Sequence, residues 1–148
     1  MVSIEMSKVQ VGDFRAFLGV AKGEDLKQTS LEDFHWYSKA LDTSIEVNAP
    51  IQTEREARVV EMNASLKPLQ EAAAAASEET VLEAKRALNE EANRLAREEE
   101  KRLVAETVTF EVSDELHKFL KENFMKLFVH KTNSGPASAG LAKALKVF

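Results

Sequence analysis

Apolar residues recur at heptad spacing between Leu31 and Leu69, and this recurrence most constrains what the chain can form. Leu31, Phe34, Leu41 and Ile45 fall on a and d positions of one frame, and Val59, Met62, Leu66 and Leu69 continue it. A strand cannot use such spacing, because its side chains alternate with period two, whereas a helix gathers it on one face. The a and d positions between the two apolar halves are polar: Ser38, Asn48, Gln52 and Arg55. The pattern predicts a helical arm that packs against other helices at both ends and is wet or functional in the middle. Pro50 removes one hydrogen bond and crowds the preceding turn, so a kink or break is expected near Asn48 and Ala49. Helix should resume and run to about Ala76, with Pro68 starting a fresh turn.

A second helical stretch follows. Ser77, Glu78, Glu79 and Thr80 read as a helix start, and Glu78 to about Glu106 places Val81, Ala84, Leu88, Ala92, Leu95 and Leu103 on one face. Two amphipathic helices joined by a short turn near Ala76–Thr80 make an antiparallel hairpin. Thr107–Val112 alternates Val108, Phe110 and Val112 and is the clearest strand. Its backbone needs a partner. The candidate is the N-terminus, where Val2, Ile4 and Met6 alternate and Lys8–Val11 alternates again after a one-residue shift, reading as a bulged strand that Gly12 ends. Asp13 then caps a short helix carrying Phe14, Phe17, Leu18 and Ala21, which Gly23 stops before a loop at Glu24–Thr29. Ser30 caps the long helix, and Ser113 or Asp114 caps a later one bearing Leu116, Phe119, Leu120, Phe124, Leu127 and Phe128.

The expected fold is therefore mainly α (α+β), a long antiparallel helical hairpin or coiled coil with a two-stranded sheet at its base. Residues 1–130 form a single domain in this reading. Residues 131–148 follow as a flexible Ser/Gly/Pro linker to Gly140 and a short amphipathic tail, mobile unless it docks.

Composition narrows the function. The 148 residues carry a net charge of −5, which argues against direct nucleic-acid binding and leaves room for a basic protein partner. Cysteine is absent, excluding disulfides, thiolate nucleophiles and Cys-ligated zinc. Met1–Gly12 lacks the apolar region of a signal peptide, and no stretch approaches the roughly 20 apolar residues that span a bilayer, so a cytoplasmic protein without a membrane partner is expected.

Reactive constellations are sparse. The one Glu-x-x-His pair, Glu32 with His35, is half of what a carboxylate-bridged metal site needs, and His117 and His130 stand apart from it. Serines 30, 77 and 113 sit where helix caps belong, and no phosphate-cradling glycine loop is present. Arg94, Arg97, Lys101 and Arg102 approximate a basic stripe, but glutamates 90, 91, 98, 99 and 100 surround it, so ion pairing within the helix is expected. No enzyme, cofactor or metal is expected.

The aromatic cluster Phe34, Trp36, Tyr37 cannot share one face, since successive helical residues lie about 100° apart. One ring should turn toward the short N-terminal helix, packing on Phe14 or Phe17, or toward a partner. Partner contacts are expected from Trp36, Tyr37, Asn48, Gln52 and Arg55. The element order, with Phe34–Leu41 ahead of the glutamate-rich Ile51–Met62 and a charged helix at Glu98 running straight into the strand ending at Val112, resembles a family of small tailed-bacteriophage proteins of undefined function. That resemblance implies phage origin and fold; the expected function, read from the rigid helical surface and its contact residues, is a non-enzymatic protein that binds and modulates a larger complex of the host or virus. Self-association as a homo-oligomeric virion or assembly component is the alternative.

Overall fold

A computed structural model describes residues 1–21, 30–124 and 135–147. Gly23, the loop at 24–29, His130, Leu127 and Phe128 lie outside these residues. The described elements are β1 (Val2–Ser7), α1 (Lys8–Ala21), α2 (Leu31–Ala75), α3 (Val81–Ala105), β2 (Thr107–Val112), α4 (Asp114–Phe124) and α5 (Gly135–Leu145). The chain divides into two compact units: a body of Met1–Pro50 with Leu103–Phe148, and an arm of Ile51–Arg102.

In the body, β1 and β2 pair antiparallel, with Ile4 opposite Phe110, Met6 opposite Val108 and Val2 opposite Val112. Period-two alternation puts these six on one face, where Ile4, Met6 and Val112 are buried, while Ser3, Glu5, Thr109 and Glu111 face out. Phe14 of α1 stacks on Phe110, ring centroids 6.5 Å apart. Val11, Leu18, Leu116, Leu120 and Phe124 complete a core drawn from both ends of the chain.

The first helix begins earlier than the alternation of Lys8–Val11 suggested. Ser7 and Gln10 form a reciprocal capping box: the Gln10 amide donates to Ser7 Oγ (3.1 Å) and the Ser7 amide to Gln10 Oε1 (2.9 Å). The Lys8 amide donates to the Glu106 carbonyl at 3.0 Å. Four residues of alternation were too few to distinguish strand from helix. Gly12 and Asp13 consequently lie inside α1, and burial pushes the Asp13 carboxyl pKa up. The other caps are as read: Ser30 Oγ accepts from the Asp33 amide (3.2 Å), Ser113 Oγ from the Leu116 amide (3.1 Å). Ser77 O accepts from the Thr80 and Val81 amides, so α3 starts at Val81, three residues later than expected.

Helix α2 runs unbroken through both Pro50 and Pro68, so neither ends it and Pro68 starts no new turn. The boundary between body and arm nevertheless falls directly after Pro50. The heptad ladder does not bury as expected. Leu31 is 90% exposed and Leu66 only 8%, although both occupy a positions five heptads apart. A strict seven-residue repeat rotates about 20° per heptad on a helix of 3.6 residues per turn, so five heptads accumulate roughly 100°, one residue's step. The ladder meets the buried stripe at Leu66 and misses it by one position at the start. There, Tyr37, Ala40 and Ser44 are buried instead, and Phe34 and Ile45 are exposed. Ser44 is satisfied by donating to the Leu41 carbonyl at 2.7 Å.

The C-terminal segment is not a free tail. Gly135–Leu145 is helical and packs on β1 and α1, with Leu141, Ala142, Leu145 and Val147 buried. Gln10 Nε2 donates to the Gly140 carbonyl (3.3 Å) and His117 Nε2 hydrogen-bonds the Leu145 carbonyl (2.9 Å). The helix closes in a Schellman motif, Val147 N to Ala142 O and Lys146 N to Lys143 O, both 3.2 Å. Lys146 occupies the left-handed position with φ 59°, where glycine is the unstrained residue. Lys146→Gly should therefore raise stability by about 0.5–1 kcal/mol. Ser7→Ala should lower it by about 1 kcal/mol through loss of the cap. Thermal denaturation followed by circular dichroism checks both.

Candidate functional site

The body offers a cleft beside the first turns of α2. The capped N-terminus of α2 supplies Glu32, Asp33 and Trp36, and α4 supplies Glu115, Lys118, Phe119 and Glu122. The spacing on α4 is i, i+3, i+4 and i+7, one helical face, set by the Ser113 cap at its start. The cavity holds about 210 Å³. Phe119 is buried and Trp36 half-buried, while Glu32, Glu115, Lys118 and Glu122 are exposed. His35 meets the Trp36 ring edge-on at 5.2 Å, and Lys39 Nζ stands 5.8 Å over its centroid, a cation–π contact. Lys118 and Glu122 form a loose ion pair at 4.0 Å. Among the described residues, four carboxylates against Lys118 and the adjacent Lys39 leave the lining net negative.

The arm carries a different polar feature. Arg102 Nη1 donates to Glu54 Oε1 (2.6 Å), and its Nη2 and Nε donate to Glu99 (2.5 and 3.2 Å). Arg58 Nε donates to the same Glu99 carboxylate at 2.5 Å. Charges thus alternate, Glu54, Arg102, Glu99, Arg58, across the two helices. Glu99 and Arg102 side chains are 14% exposed, so this network lies between α2 and α3 and is not on a solvated face. The two guanidinium groups hold the Glu99 carboxyl below its ordinary range, Arg102 contributing most. On the same helix Arg94 bridges Glu91 and Glu98. Intrahelical pairing of the basic stripe is therefore present, with interhelical pairs added. Next to the network, Arg58, Glu61, Met62, Ser65, Leu95, Glu98 and Glu99 line a shallow groove of about 140 Å³.

The expected contact residues separate. Tyr37 is 3% exposed, and its hydroxyl donates to the Leu18 carbonyl of α1, so it is a core residue and leaves the contact set. This is the ring that turns toward the N-terminal helix. Trp36 borders the cleft. Asn48 is half-buried in the body, and Gln52 and Arg55 are exposed on the arm. The polar members of the arm's seam are Glu54 and Arg58, which pair with α3, and not Gln52 and Arg55. Glu115, Lys118 and Glu122 were missed; the signal for them was the i, i+3, i+7 charge spacing opposite the apolar face of α4. Glu32 and His35 are both exposed. Among the described residues no group of three or more His, Asp or Glu side chains is placed to hold a metal ion, and no helix is long and apolar enough to cross a membrane.

No protein-family model matches the chain, and no curated protein or solved structure does.

The Glu99 pKa sets a sign for pH dependence. A carboxyl whose folded pKa is lowered from 4.5 contributes stability present above that value and lost as pH falls through the folded pKa. Stability should drop on acidification below about pH 4.5. Glu99→Gln should cost about 1 kcal/mol at neutral pH, since the network is only partly shielded from water. It should also flatten the acid limb. Denaturant titrations at several pH values measure both.

Proposed function

We propose that this is a non-enzymatic, phage-encoded protein that binds and inhibits a larger host machine, of which RNA polymerase or a defence nuclease is one version. The observation that carries the reading is the exposed face of α2 in the body. Leu31, Phe34 and Ile45 are 90, 47 and 43% exposed, and with Leu41 they keep heptad spacing. Apolar residues in this spacing on a solvent-facing helix are suited to receive another helix. The interior stripe of the same helix, Tyr37, Ala40 and Ser44, already holds the body together. The outer stripe is thus free of that duty. Phage origin is supported by the element order from Phe34 to Val112 noted above.

The same stripe favours a second reading, a homo-oligomeric virion or assembly component in which a second copy supplies the opposing helix. The two separate on one pair of measurements. Under the leading reading the chain sediments as a concentration-independent monomer. Tagged chain captures a defined complex from host lysate, and Phe34→Glu/Ile45→Glu abolishes capture without lowering the melting temperature. Concentration-dependent dimers lost in the same variant would replace this reading with the second. Trp36→Ala should weaken capture with an unchanged melting temperature, and parallel loss of both would assign Trp36 to the core.

A further inference from the structure

We propose that the cleft between α2 and α4 is a docking site for an arginine-bearing basic segment of a partner protein, an inference that rests on reading the chain as a binding protein and names the chemistry of what it binds. Three properties select this ligand. The first is charge: among the described residues Glu32, Asp33, Glu115 and Glu122 outweigh Lys118 and the adjacent Lys39. Nucleic acid and anionic membrane are repelled by such a lining, whereas a cationic segment is steered to it.

The second is spacing. The carboxylates come from two helices and do not converge within metal-ligating reach among the described residues. A point cation would leave most of them unused, while a guanidinium on a flexible stem, with five donors in a planar fork, reaches carboxylates on both sides. The third is the aromatic wall. Trp36 already holds an ammonium over its ring, that of Lys39, so the ring is placed where it stabilises a cation. A guanidinium, flatter and more weakly hydrated, stacks better on indole than an ammonium does. Buried Phe119 supplies apolar surface for the methylene stem. Size agrees: about 210 Å³ is below the roughly 300–1,000 Å³ of metabolite and cofactor pockets, and accommodates a single long side chain.

Trp36 is the chain's only tryptophan, so its emission reports on the cleft alone. The experiment titrates the full chain with a short peptide of alternating arginine and glycine, with lysine and glutamate counterparts in parallel. The arginine peptide should give a saturable change in emission that weakens with added salt. The lysine peptide should bind more weakly, and the glutamate peptide should leave emission unchanged. Glu32→Gln/Glu115→Gln/Glu122→Gln should weaken arginine-peptide binding roughly tenfold or more. Glu78→Gln/Glu79→Gln/Glu83→Gln removes the same charge at the hairpin turn and start of α3 and should leave binding unchanged. Equal weakening in the two triple variants, or no saturable response, overturns the proposal. A chain that captures its partner through the α2 stripe but gives no saturable response overturns this inference alone. A chain that captures nothing yet binds the arginine peptide at the cleft retains it.

Discussion

The pairing of β1 with β2 is the constraint on which the rest of the body depends. It joins residues about a hundred positions apart in sequence, Val2 to Val112 and Ser7 to Thr107, in one ladder. Two strands alone are marginal in water. This pair is made stable by what covers its apolar face: Phe14 stacked on Phe110, and α5 laid on β1. The ladder also places the Lys8 amide on the Glu106 carbonyl, so the capping box of α1 begins where the last strand pair ends. The strand ladder, the start of α1 and the core therefore share the same residues, and the cleft inherits its position from them. Ser113, one residue past the ladder, caps α4 and aims its charged face.

The arm solves a different problem. Its seam has few large apolar residues; Ile51 and Leu66 are the buried ones, and alanines fill the distal turn. Apolar contacts this thin specify register poorly, because alanine faces slide on one another with little penalty. The alternating network of Glu54, Arg102, Glu99 and Arg58 supplies what the apolar seam lacks. Shifting one helix by a turn would set like charges opposite each other. The network's net stabilisation is modest. Its effect is to make the neighbouring registers worse.

Much of the fold was legible in the sequence because local signals agreed with long-range need. Ser30, Ser77 and Ser113 marked helix starts, and the β-branched run at Thr107–Val112 could only pair with Val2–Met6. Three features were hidden for identifiable reasons. The Ser-x-x-Gln box at Ser7–Gln10 was readable but lay under a period-two pattern. The docking of α5 depends on apolar residues spaced normally for a helix but preceded by glycine and proline, a composition that reads as linker. The heptad frame was real, yet a period of 3.5 and a period of 3.6 cannot be told apart over two turns and differ by a whole position over ten. The site followed the same logic. Trp36 was visible as an unaccommodated aromatic, whereas its companions on α4 became neighbours only through tertiary packing.

The long sequence separation across the strand ladder has a consequence for how the molecule is made. A ribosome adds about 5–20 residues per second, so β1 waits several seconds for its partner to be synthesised. The hairpin, built from contacts between neighbours in sequence, can close during that interval. Until Thr107 and the residues after it leave the exit tunnel, Ile4 and Met6 sit on an unpaired edge, the kind of surface chaperones hold and other chains capture. Vectorial synthesis thus leaves the body to be completed last, with β1 exposed until β2 is made.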